Sequence, residues 1–218
     1  MSAPAAPLPP VLFADNHLLA FDKPSGLLSV PGRGPDKQDC LAARARARWP
    51  DALVVHRLDM ATSGLIVMAR GLEMQRRLSA AFADRETAKE YVAVVDGWLA
   101  SDAGEIALPL ITDWPNRPRQ MVDHAIGKPS LTRWQVLARS HDGQGHAQTR
   151  VALFPVTGRS HQLRVHLQAI GHPILGDALY APPAALARAP RLLLHACALA
   201  LPHPATGQPL ALRCEPPF

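Results

Sequence analysis

Cysteine is scarce in this chain: Cys40, Cys197 and Cys214 are the only three in 218 residues. They lie far apart with no Cys-x-x-Cys pair, which argues against a structural zinc site or a disulfide framework and fits a reducing compartment. Long apolar runs are missing as well. No window approaches the roughly 18 uninterrupted apolar residues of a membrane span. Met1-Ser2-Ala3-Pro4-Ala5-Ala6-Pro7 has no basic run ahead of an apolar core, so it does not read as a secretory leader. A soluble cytoplasmic protein with no membrane partner is the expectation. Lysine is also rare: Lys23, Lys37, Lys89 and Lys128 are the only ones among 23 basic residues. Arginine's planar fork suits phosphate and base edges, and a net charge of +5 suits a polyanionic partner. A GC-rich genome gives the same arginine, alanine and proline bias, so composition alone leaves both explanations open.

What is present reads as a globular fold. Hydrophobic residues make up 48% and charged residues 19%, ordinary for a packed soluble domain. The length accommodates one large domain or two fused halves. Residues 1–10 are Pro/Ala-rich and read as a flexible segment. Strands are expected at Val11–Phe13, Leu18–Phe21, Leu53–Leu58, Leu65–Ala69, Glu90–Val95, Glu105–Leu110, Met121–Asp123, Ser130–Ala138, Thr149–Phe154, Leu192–Leu201 and Leu210–Arg213. Helices are expected from after Asp39 to near Trp49, because Pro50 cannot continue the first, over Leu72–Ala83, and over Ser160–Ile170, closing at Gly171. Met74, Leu78, Ala81 and Phe82 form a core-facing stripe on the second. The arginines Arg44, Arg46 and Arg48 on the first read as a solvated face, and Ala181–Pro190 as a surface insertion. Strands outnumber helices without regular alternation, which points to an α+β fold with a mostly antiparallel sheet. No internal sequence repeat is visible, although the strand–helix–strand order recurs in both halves.

Four clusters could carry chemistry. In His56-Arg57-Leu58-Asp59-Met60-Ala61-Thr62-Ser63-Gly64-Leu65-Ile66-Val67-Met68-Ala69-Arg70, an acid and a base stand two residues apart at a predicted strand end, before a Thr-Ser-Gly turn. On an extended chain Arg57 and Asp59 share a face, and the guanidinium favours the ionised carboxylate, a usable nucleophile or base. A plain surface ion pair fits the same pattern. In Thr157–Leu167, helical spacing puts His161, Arg164 and Gln168 on one face and Leu163, Leu167 and Ile170 on the buried one. Arg159 and Ser160 stand at its start, where free N–H groups attract anions. His161 and His166 are five apart, about 140° around a helix, a poor geometry for zinc. An amphipathic core helix is the competing explanation. Tyr91, in Lys89–Gly97, reads as a core tyrosine beside Ala93 and Val95. Finally, Asp113-Trp114-Pro115-Asn116-Arg117-Pro118-Arg119-Gln120 joins an exposed aromatic to two arginines in a proline-stiffened loop, as proteins that grip looped RNA do.

These blocks resemble, in order and from about Val11 to the C-terminus, those of the RluA-type pseudouridine synthases. His56–Arg70 resembles the block of the essential Asp. Lys89–Gly97 resembles the block whose Tyr lines the uracil pocket, and Gly158–Leu167 the block whose Arg pairs with that Asp. Gly171–Tyr180 and Leu193–Ala196 match two further blocks. The resemblance implies a pseudouridine-synthase fold: a mostly antiparallel mixed sheet in two pseudo-related halves, flanking helices and a central active-site cleft. It implies one catalytic domain over 11–218 with no S4 domain, isomerising uridine in RNA without cofactor or metal. Asp59 would be the nucleophile or base, Arg164 its charge partner, and Tyr91 the residue stacking on uracil and taking the C5 proton. Leu163 would close the pocket's apolar side, and Arg57 would fill the gap left by a flipped uridine. Arg159, His161, Trp114, Arg117 and Arg119 would contact RNA. Residues 23–33 and 113–120 resemble the small, dual-specific branch of the family, implying a tRNA anticodon stem-loop and a 23S rRNA stem-loop as substrates and a monomeric state; a family member acting on a different single RNA position is the alternative. A glycosidase would also attack an anomeric carbon but usually needs a second carboxylate, for which no acidic residue is an obvious candidate. A non-catalytic RNA-binding protein would explain the charge and the Trp114 loop, but not the Asp59 block.

Overall fold

The computed structural model describes residues 7–218, so the first six residues of the segment expected to be flexible lie outside the described residues. In chain order the first elements are β1 (Val11–Ala14), β2 (Leu18–Lys23), α1 (Leu41–Arg48), β3 (Ala52–Val54), β4 (Ser63–Arg70) and α2 (Gly71–Ala83). Then come β5 (Ala88–Asp96), β6 (Ala103–Ala107), β7 (Leu110–Thr112), β8 (Gln120–Val122), β9 (Leu131–His141) and β10 (Ala147–Pro155). The last are α3 (Gln162–Ala169), α4 (Pro183–Ala187), β11 (Leu194–Pro202) and β12 (Pro209–Arg213). The fold is α+β, as expected. The chain divides into two compact units, Met1–Ala88 with Ala196–Pro217, and Lys89–His195 with Phe218. No helix among the described residues is long and apolar enough to cross a membrane.

In the first unit β4 is the spine. It is buried over nearly its whole length, as its uninterrupted apolar run requires, and pairs antiparallel with β2 (Phe21 opposite Ile66) and β3 (Val54 opposite Met68). Gly64 begins this strand at φ +106, and a Cβ there would lie 2.3 Å from the carbonyl oxygen of Ala196. Only glycine permits that approach. The α2 stripe faces a core of Leu18, Leu65, Val67, Leu199 and Leu212, with Leu78 buried and Met74 and Phe82 packed against it. Burying Leu78 is worth about 1.5–3 kcal/mol, and Leu78→Ala would cost about 2–5 kcal/mol. The first helix starts at Leu41 because Cys40 caps it, its Sγ accepting from Ala43 N. Among the arginines expected to form a solvated face, Arg46 and Arg48 are exposed, whereas Arg44 is partly buried and paired with Asp39.

The second unit is built on β5, β10, β9 and β6, paired antiparallel in that order. A separate hairpin joins β7 and β8. Residues 181–190 lie partly on the surface, as expected, but they are also anchored to the core. Ala185 of α4 is buried with Leu175 and Val94, and the nearly buried Arg188 pairs with both Asp96 and Asp142. Ala181, Ala185, Ala189 and Arg188 pack inward, which an Ala/Pro-rich composition did not reveal.

Candidate functional site

The Asp59 segment departs from the strand its apolar pattern suggests. Strand β3 ends at Val54, and residues 55–59 have no strand partner. The reason is a side chain: His56 Nε2 accepts the Val67 amide at 3.0 Å, at the next rung of the β3–β4 ladder. The His56 ring is stacked on Phe82 of α2, centroids 4.5 Å apart. Leu58 is buried, and Ser29 Oγ both donates to its carbonyl (2.7 Å) and accepts from its amide (3.1 Å). The turn runs over Asp59–Thr62, closed by Thr62 N donating to the Asp59 carbonyl at 3.1 Å. Ser63 and Gly64 already belong to β4, so the expected Thr-Ser-Gly turn lies earlier in the chain.

Lys23-Pro24-Ser25-Gly26 is the clasp of this turn. Gly26 N donates to the Met60 carbonyl at 2.8 Å, and Ser25 Oγ to the Ala61 carbonyl at 2.7 Å. Lys23, wholly buried, donates to the carbonyls of Pro24, Leu27 and Met60 at 3.0, 2.8 and 3.2 Å. Burial lowers its pKa to about 8, against the pull of the neighbouring Asp59 and Asp22 carboxylates. Asp59 is therefore a half-buried carboxylate on a turn with a buried cation beside it, and Arg57 is exposed on the same segment. The carboxylate is partly exposed, so other groups can reach it.

In the second unit, α3 starts later than its pattern suggests. His161 stands at the N-cap with φ +53, outside the helix, so the expected shared face of His161, Arg164 and Gln168 does not form. Gln162 fixes the entry: its Oε1 accepts from Thr157 Oγ1 and Arg159 N, and its Nε2 donates to the Leu131 carbonyl and Thr132 Oγ1. Leu163 and Leu167 are buried as expected, but Ile170 is 36% exposed. Arg164 is buried and gripped by Asp177, with Nε–Oδ2 2.8 Å and Nη2–Oδ1 2.7 Å. His166 is wholly buried between Ser130, Thr132 and the Leu108 carbonyl, and burial lowers its pKa. Neither Asp177 nor a buried His166 stood out in the sequence. An Asp after a Gly, eight residues past the end of a helix, carries no periodic signal.

The β7–β8 loop is an ordered aromatic–arginine platform. Trp114 is 64% exposed, and the Arg117 guanidinium lies 4.3 Å from its ring centroid. Asp113 shapes the loop: its carboxylate accepts from Asn116 Nδ2, and its amide donates to the Arg119 carbonyl. Arg119 and Arg164 both face the ring of Tyr180, at 5.4 and 5.0 Å. Arg159 is exposed, its Nε 3.4 Å from the Pro129 carbonyl. Tyr91 is half-buried on β5, opposite Leu153 of β10. The structure thus brings Arg164, Arg119 and His161 together on Tyr180 and pairs Trp114 with Arg117, while Arg159 takes no part in that cluster.

Residues 17–169 match the model of a family described as RNA pseudouridylate synthase. The chain is 53% identical over 208 residues to the dual-specificity RNA pseudouridine synthase RluA of Yersinia pestis, covering 95% of this chain and 99% of that one. It is 48% identical over 215 residues to the protein of the same name from Escherichia coli K12, covering 99% and 96%. Among solved structures, human RNA pseudouridylate synthase domain containing 1 superposes with a TM-score of 0.82 at 27% identity, over 100% of this chain and 87% of that one. Human RNA pseudouridylate synthase domain containing 4 gives 0.74 at 27% identity, over 95% and 88%.

Proposed function

This chain belongs to the RNA pseudouridylate synthase family, and from that premise we propose that its uridine-to-pseudouridine isomerisation turns on Asp59. In that reaction uracil leaves C1′ of its ribose, rotates and rejoins through C5. The observation that carries the reading is the build of the Asp59–Thr62 turn. Side chains of Lys23, Ser25 and Ser29 hold the backbone on both sides of a half-buried carboxylate, so its reach is set before substrate arrives.

Asp59 attacks or deprotonates the ribose of the flipped uridine. Arg164, which Asp177 holds in place, is its charge partner. Tyr91 stacks on the uracil and takes the C5 proton, and Leu163 closes the apolar side. Exposed Arg57 fills the gap the uridine leaves in the RNA stack. Trp114, Arg117, Arg119, Arg159 and His161 contact the surrounding RNA. The substrates are a tRNA anticodon stem-loop and a 23S rRNA stem-loop. The support for two RNAs is the dual-specificity name of relatives that match over nearly the full chain. The enzyme acts as a monomer in the cytoplasm, where both RNAs are found.

Nucleoside analysis of both stem-loops after incubation with the enzyme tests this. Pseudouridine in both is expected. Its absence from both would overturn the activity, and its absence from one would overturn dual specificity.

A further inference from the structure

Tyr180, in the second unit, has no part in the chemistry above, yet it touches residues that do. Tyr180 is buried, 6% exposed. Its hydroxyl accepts from Gln120 N at 2.8 Å and lies 2.6 Å from His161 Nδ1. Its ring faces the guanidiniums of Arg164 and Arg119. Asp177 completes the chain. The carboxylate that grips Arg164 also accepts, through Oδ1, the amides of Leu179 at 2.9 Å and Tyr180 at 3.2 Å. One carboxylate therefore fixes both Arg164 and the backbone that carries Tyr180. At the other end, Gln120 opens β8, and the loop that precedes it holds Trp114 and Arg117.

We infer that Tyr180 is a positioning residue that couples RNA engagement of the β7–β8 hairpin to the placement of Arg164. This rests on the roles proposed above for the hairpin and for Arg164. The two ends of the residue do separate jobs. The hydroxyl is bonded to the first residue of β8, so a shift of the hairpin moves the ring. The ring is an electron-rich face under a buried guanidinium, where a cation–π contact is strong because water is excluded. Asp177 holds one edge of Arg164, and the Tyr180 ring restricts the tilt of its plane. A stem-loop that seats the hairpin thereby sets the direction of Arg164, and flanking nucleotides affect turnover as well as affinity. A tyrosine that merely fills space would share its burial. It would not need a hydroxyl bonded to two other elements or two guanidiniums on its ring.

The test uses the full chain and a stem-loop RNA that the wild type modifies, with kcat and KM measured separately. Tyr180→Phe keeps the ring and loses the hydroxyl. It is expected to raise KM about threefold to tenfold, the effect of one or two hydrogen bonds, with a smaller change in kcat. Tyr180→Leu removes the ring and is expected to lower kcat at least about tenfold. Trp114→Ala should cost less affinity in the Tyr180→Phe background than in the wild type, because both act through one hairpin. Variants that lose only thermal stability, with wild-type kcat and KM, would overturn the coupling, as would additive effects of Trp114→Ala and Tyr180→Phe. If Tyr180→Leu does not fold, the Phe variant and the double-mutant cycle carry the test. If the wild type forms no pseudouridine, the activity reading fails. The coupling is then read from RNA affinity alone, and additivity there overturns it.

Discussion

Arg164 and Asp177 face each other as a fork against a fork: two parallel hydrogen bonds of 2.8 and 2.7 Å between side chains that are 4% and 0% exposed. A pair this dry is held by its geometry. Removing one member leaves the other charged and desolvated, which typically costs about 3–5 kcal/mol. Asp177→Ala should therefore lower unfolding free energy by about that amount in urea titration. A loss below about 1 kcal/mol would mean that Arg164 finds another counter-charge without strain.

Ser29 and Leu58 make the closest control on Asp59. Ser29→Ala removes a hydroxyl bonded to both the amide and the carbonyl of Leu58, the residue before Asp59. Each buried backbone group left unpaired costs about 1–3 kcal/mol. The cost should show in catalysis, because misplacing a reacting group by an ångström can cost on the order of a hundredfold. A fall in kcat of at least about tenfold, with RNA affinity little changed, is expected from stopped-time assays. Unchanged kcat would show that the turn holds without its serine.

Lys23 gives the pH test. Its folded pKa, about 8, lies below its ordinary 10.5. Between these values the unfolded chain binds the proton more tightly, so stability rises with pH across that window. Below pH 8 both states are protonated and the burial penalty is constant. The stability of wild type minus that of Lys23→Met should be flat below about pH 8 and then shift in favour of wild type up to about 10.5. Urea unfolding at several pH values reads this directly. A difference that falls over that range would contradict the burial of a charged ammonium.

Trp114 should matter to RNA and not to folding. Base–aromatic stacking is worth about 1–3 kcal/mol per base, so Trp114→Ala should weaken stem-loop binding about fivefold to a hundredfold. The residue is 64% exposed, and stability should stay within about 0.5 kcal/mol. Arg117→Ala should also flatten the salt dependence of binding by about one unit of slope if that arginine touches phosphate. A salt slope identical to wild type would assign Arg117 to the Trp114 ring alone.

Much of this fold was legible because its signals are local. The apolar run of β4, the stripe of α2 and the Gly171 stop of α3 each reflect a periodicity or a backbone rule. The exposed Trp114 loop was equally plain, with prolines on both sides of its arginine. What was not legible depends on partners far away in the chain. Strand β3 stops at Val54 because His56 takes an amide eleven residues on. The Asp59 turn is clasped by residues 23–29, and nothing in Lys23-Pro24-Ser25-Gly26 announces that. Nothing in the sequence announced that Asp177, thirteen residues on, grips Arg164. The Ala/Pro-rich 181–190 stretch looked like an insertion because alanine is ambiguous: it is as content in a tight core as on a surface.

The most direct test of the account is Asp59→Asn. The substitution keeps the size of the side chain and one accepting oxygen while replacing the other with an NH2 donor, which removes the charge and the nucleophile. The variant should fold, bind the stem-loop with near wild-type affinity, and form no pseudouridine on nucleoside analysis of the recovered RNA. Appreciable pseudouridine from that variant would contradict the central claim.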